Sequence, residues 1–211
     1  MANIDELITR LAQDTAALKP APHPYRLSLG WMGWALAYLV VALTLSGVRP
    51  DLADKLHQPW FVAELAALLG IFIATSLGAS LLSFPDMHQL RRLAFAPVAT
   101  FAVFVAVMFF AWQADHPPAP LPVHSFQCTL SITLFSLLPA AWMIYAMRKF
   151  ASTHNRLAGC CGLLFAFSTG AIWLRLHELN DSVTHVIEWH YLPMIVIGMI
   201  GLWLGRMLLK W

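Results

Sequence analysis

Residues 157–208 read LAGCCGLLFAFSTGAIWLRL, then HELNDSVTHVIE, then WHYLPMIVIGMIGLWLGRML. Two apolar runs, each about the 20 residues that a helix needs to cross a bilayer, flank a polar join. His177, Glu178, Asp181, His185, Glu188 and His190 crowd that join or its edges. The reading of this stretch decides the fold, because the apolar run recurs along the whole chain.

Only 11% of the 211 residues are charged and 59% are hydrophobic, with a mean hydropathy of +0.67. A soluble domain carries about a quarter charged residues, so this chain lacks the polar surface of a globule. Six spans are predicted: Leu29 to Val48, Trp60 to Leu82, Leu93 to Gln113, Cys128 to Met147, Leu157 to Leu176 and Trp189 to Leu208. Helices satisfy their own backbone hydrogen bonds in lipid, and no barrel pattern is visible. The expected fold class is all-α, an integral membrane bundle of six transmembrane helices. The first span reads as a retained helix, since no small-residue cleavage site follows it.

Basic residues in short loops set the orientation. With the N-terminus inside, the inner side carries Arg10, Lys19, Arg26, Arg91, Arg92, Arg148, Lys149, Arg156, Arg206 and Lys210. The outer side carries Arg49, Lys55 and Arg175. Both termini are therefore expected in the cytoplasm, and the basic balance needs no direct nucleic-acid partner.

Residues 1–26 form the other expected unit, ahead of a membrane domain over 27–211. Ile4, Leu7, Ile8, Leu11 and Leu18 fall on one helical face, Asn3 and Glu6 supply a capping box, and Pro20, Pro22 and Pro24 make a stiff tether. The polar face holds Asp5, Glu6 and Asp14 against Arg10. Lipid-surface helices carry a basic polar face instead, so a groove on a protein partner suits this helix better. The lipid surface and the chain's own loops are the other possible seats.

Sorting the chemistry by side is informative. His57, His116, His124, His177, His185 and His190 all fall outside or at the outer interface, with Cys128 at the outer start of the fourth span. Thiolate, imidazole and carboxylate together suit a borderline or soft ion such as zinc or copper. The candidate ligands are Cys128, His177, Glu178, His185 and His190. The alternative is that these histidines are interfacial anchors. Glu64 and Arg175 lie at similar depth near the outer ends of spans two and five. Ionisable groups inside spans are costly and usually pair, so the two are expected to meet as a structural lock or a gate. Cys160 and Cys161, at the inner end of span five, read as small packing residues. No nucleophile–base array or phosphate-binding glycine loop appears, so no enzyme is expected. The runner-up is an oxidoreductase subunit holding b-type haem between histidines on facing spans.

The opening DELITRLAQD, the proline tether, six spans and Cys128 within CTLSITLFSLLP resemble the NrsF-like negative regulators of ECF sigma factors. Leu176, His177, Asp181, Ser182 and Trp189 match that family's outer motif in register. The resemblance implies a bacterial inner-membrane anti-sigma factor. Such a protein would hold an ECF sigma factor through Ile4, Leu7, Ile8 and Leu11 and release it on a periplasmic metal or redox stress signal. The family's second sensing cysteine falls on Glu178, so a two-thiol switch is not available here and metal binding becomes the expectation.

Overall fold

The structure, a computed structural model, describes residues 4, 6, 8, 9, 22–85, 91–114, 125–150 and 152–210. It is helical throughout, with no strand among the described residues. Six helices are long and apolar enough to cross a membrane: α1 Pro24–Ser46, α2 Pro59–Leu82, α3 Ala96–Ala114, α4 Phe126–Met147, α5 Asn155–His177 and α6 Val183–Leu208. The protein is a membrane protein.

Two boundaries differ from the sequence reading by five residues or more. Pro24 opens α1 instead of ending a tether, because proline at a first helical turn loses no hydrogen bond. His23 caps that turn, its Nδ1 accepting from the Tyr25 amide at 3.3 Å. The last span begins at Val183 and not at Trp189. Ile4, Glu6, Ile8 and Thr9 are helical, with Ile4 and Ile8 exposed. Leu7 and Leu11 lie outside the described residues.

α2 and α5 form the centre of the bundle and the other four helices surround them. Their sequences explain why. Without a hydrophobic drive between helices in lipid, small residues that admit close backbones select the interfaces. α5 supplies Gly159, Gly162 and Gly170, which face Gly205, Met147 and Ser136 respectively. α2 supplies Gly78 against Pro97 and Cys161. A methyl group added at Gly205 would overlap the Asn155 carbonyl and the Gly159 Cα, whereas one at Gly70 meets nothing within 4 Å. Gly205→Ala is therefore expected to lower the melting temperature in detergent, and Gly70→Ala to leave it nearly unchanged. Equal melting of the two would contradict the α5–α6 contact.

Proline inside a span creates a need that a neighbour meets. Pro139 has no N–H, so the Phe135 carbonyl one turn earlier loses its helical partner. The Tyr38 hydroxyl of α1 donates to that carbonyl at 3.0 Å. In α6, Pro193 likewise frees the Trp189 carbonyl, and the Thr129 hydroxyl of α4 donates to it at 2.5 Å.

Candidate metal centre

α5 ends at His177, and residues 178–182 turn the chain back into α6. The Ser182 hydroxyl accepts from the His185 amide at 3.4 Å, capping the new helix. From Val186 to Tyr191 the helix widens into a π-helix, with the Leu192 amide donating to the Ile187 carbonyl. Pro193, which breaks the ordinary bonding pattern just beyond, favours this widening. In an α-helix residues five apart point about 140° away from each other. In a π turn the i→i+5 bond brings them onto one face. His185 and His190 consequently face the same space, their rings edge to face with centroids 5.1 Å apart.

Cys128 from α4 and Glu178 from the turn complete the group. One donor atom from each of Cys128, Glu178, His185 and His190 lies within 4.8 Å of all the others. Cys128 Sγ donates to Glu178 Oε1 at 3.3 Å. His190 Nε2 stands 3.1 Å from Glu178 Oε2, an ion-pair distance, but without hydrogen-bond alignment. His185 Nε2 is 3.7 Å from Glu178 Oε1. Both histidines have no exposed surface. Both nitrogens of each ring, and Glu178 Oε2, are buried without a hydrogen-bond partner. Buried polar atoms are nearly always satisfied, so five such atoms at one point mark a place built for something else. Burial pushes the Glu178 carboxyl up, but its contacts with His190, Cys128 and His185 together hold it below its ordinary range. It stands ready as a carboxylate.

His177 is not in this group. Its Nδ1 is 2.8 Å from the Gly47 carbonyl, and its ring stacks on Trp173. It ties α5 to the end of α1. Among the described residues the haem arrangement is not formed either. His185 and His190 come from one segment instead of facing spans, and Cys128 and Glu178 fill the space beside them.

A charged network adjoins the donor group. Arg175 donates from Nε and Nη2 to the two Glu64 oxygens at 2.7 and 3.0 Å, and from Nη1 to Asp181 at 3.0 Å. The Tyr191 hydroxyl donates to Glu64 Oε1. Arg49, whose side chain is wholly buried, grips both Asp181 oxygens at 2.9 and 2.8 Å and also holds Asp51. Lys55 reaches Asp181 at 2.7 Å, and the Phe61 ring sits beneath both guanidinium groups. Burial would push the Asp181 carboxyl up, but hydrogen bonds from Arg49 and Lys55 and the charge of Arg175 hold it far below the usual range. Arg49 and Tyr191 were not legible as members. Arg49 reads in sequence as a loop charge, and Tyr191 as one more interfacial aromatic. The one available signal is that Tyr191 follows His190 directly, so any helix that buries one ring end must place the other nearby.

Comparison with known proteins bears on the whole chain. A family model described as "Negative regulator of sigma F" matches residues 11–211. The "Anti-sigma-F factor NrsF" of Caulobacter vibrioides is 32% identical over 214 residues, covering 98% of this chain and 99% of the relative. The "Probable anti-sigma-F factor NrsF" of Azospira oryzae is 29% identical over 225 residues, covering 98% and 99%. No solved structure matches.

Proposed function

The chain belongs to the family of negative regulators of sigma F, and from that premise we propose an inner-membrane anti-sigma factor that releases its partner on a periplasmic metal signal. The role is regulatory and involves no catalysis. Similarity along nearly the full length of a named anti-sigma factor supports a sigma factor as the partner, and we take it to be of the ECF type. The excess of Lys and Arg at one end of the bundle supports cytoplasmic termini. The N-terminal helix then lies on the side where a sigma factor is found, with Ile4 and Ile8 turned outward and free of the bundle core.

The observation that carries the metal reading is the set of buried imidazole nitrogens without a hydrogen bond, beside a thiol and a carboxylate. Zinc bonds of 2.0 to 2.3 Å place tetrahedral ligand atoms roughly 3.3–3.8 Å apart. Donors now spread over as much as 4.8 Å would have to close by about 1 Å. Closure pulls α4, the 178–182 turn and α6 toward one another. A signal of this kind works only if the closed and open bundles differ in metal affinity. The closed bundle would be the form that lets the sigma factor go.

The test is co-purification of an untagged ECF sigma factor with the full chain, with a chain lacking residues 1–19, and with zinc added. Retention by the full chain alone, reduced by zinc, is the expected result. Ile4→Asp with Ile8→Asp places two charges on the docking face, at several kcal/mol if a partner groove buries it. Sigma-dependent transcription is then expected to rise without stimulus at unchanged membrane protein levels. Unchanged transcription would move the helix to the lipid surface.

A further inference from the structure

Three adjoining cavities run along α6, two of them between α3 and α6 and the one at the arginine end between α5 and α6. The one at the arginine end is about 380 Å³ and is lined by Arg156, Trp203 and Arg206, with Leu157, Met199 and Leu202 as its inner wall. Those last three residues also line the middle cavity of about 370 Å³, whose floor is Cys160, Leu164 and Gly198. The middle cavity meets the third, of about 450 Å³, at Phe101 and Ile195. Glu188 stands at the far mouth.

The polarity of this cleft is asymmetric. Arg156 and Arg206 are exposed and have no acidic partner among the described residues, and no carboxylate lines their cavity. Trp203 is exposed beside them, as indoles are at the headgroup level. From Arg206 to Ile195 the helix rises about 16 Å. That is close to half of the roughly 30 Å hydrocarbon core, the depth one acyl chain reaches from its own leaflet. The cavities join at that depth. Basic pockets between spans bind anionic lipid headgroups, and a carboxylate at the other mouth repels them.

We infer that this groove along α6 is a binding site for an anionic phospholipid, its phosphate held by Arg156 and Arg206 and one acyl chain lying on Cys160, Leu164 and Gly198. The occupant enters from the leaflet at the arginine end. It rests against the same helix that carries His185 and His190.

The test uses the full chain in detergent, titrated separately with dioleoyl phosphatidylglycerol and dioleoyl phosphatidylcholine and read by native mass spectrometry. The wild type is expected to hold one phosphatidylglycerol on the order of tenfold more tightly than phosphatidylcholine. Arg156→Gln with Arg206→Gln is expected to erase the preference; both side chains are exposed, so the fold stays intact. A Cβ at Gly198 meets its neighbours at ordinary contact distances, 3.6 Å or more. Gly198→Leu therefore narrows the trench, and it is expected to weaken both lipids while keeping the preference. Equal affinities in the wild type, or a preference that survives loss of both arginines, would overturn the site. So would a lipid-free dimer that Gly198→Leu splits, which would make the cleft an interface between two copies.

Discussion

Zinc titrated into the purified protein is expected to bind once per chain, and Cys128→Ser with His190→Ala to lose more than about a hundredfold in affinity. Removing groups that only orient metal ligands already costs about 10–100-fold. Two donors of the group of four contribute more than their supports do. His177→Ala is the internal control. Its ring is committed to Gly47 and Trp173, so its loss is expected to leave zinc affinity within about twofold of wild type while disturbing only an interface worth about 1 kcal/mol. Protons compete with the metal for imidazole, so wild-type affinity falls as pH falls. Equal affinity in the wild type and the Cys128, His190 double variant would remove the metal centre. The histidines would then be buried polar groups whose partners are waters.

The second large effect is expected at Arg175. Replacing it by Leu leaves Glu64, only 6% exposed, as an unpaired carboxylate inside the bundle and takes one cation from Asp181. Breaking one side of a buried pair costs about 3–5 kcal/mol, whereas removing both charges costs much less. Unfolding in sodium dodecyl sulfate is therefore expected to rank Arg175→Leu as less stable than Glu64→Leu with Arg175→Leu. Tyr191 keeps the double variant from full recovery, since its hydroxyl loses its acceptor. Reversed ranking would mean that water reaches Glu64. Asp181 adds a pH signature. Its folded-state pKa is depressed, so its stabilisation is complete above the unfolded value of about 3.9 and declines as pH falls toward the folded one. Asp181→Asn removes that acid-sensitive part.

Much of the fold follows from composition alone. Runs such as 60–82 have nowhere to go but lipid, and their lengths fix the span count. The family resemblance, read from DELITRLAQD, Cys128 and the 176–189 motif, agrees with the match over residues 11–211. What composition cannot reveal is where a polar turn already belongs to a helix. Val183 to Glu188 looks like loop because Thr184, His185 and Glu188 are polar. Ser182 nonetheless starts the helix there, and burial of His185 and His190 hides their polarity. The five-residue spacing of those histidines argues against a shared face for any observer who assumes 3.6 residues per turn. Only the π-helix reverses that. His177 misleads in the opposite way, since it lies next to Glu178 in sequence yet turns to α1. Arg49 is buried by a partner 132 residues away, Asp181, which no local pattern encodes.

The two carbonyls released by Pro139 and Pro193 bear on the order in which the protein is made. A span with an unmet carbonyl is poorly suited to hydrocarbon until a donor arrives. Tyr38 precedes Phe135, and Thr129 precedes Trp189. Chains emerge from the ribosome N-terminus first, so each donor helix is synthesised before the helix that depends on it. α1 is available when α4 enters, and α4 when α6 enters. α6 thus completes the donor group only on arrival against α4, and a chain truncated before Val183 holds Cys128 and Glu178 but neither buried histidine. Assembly of the donor group therefore waits for α6.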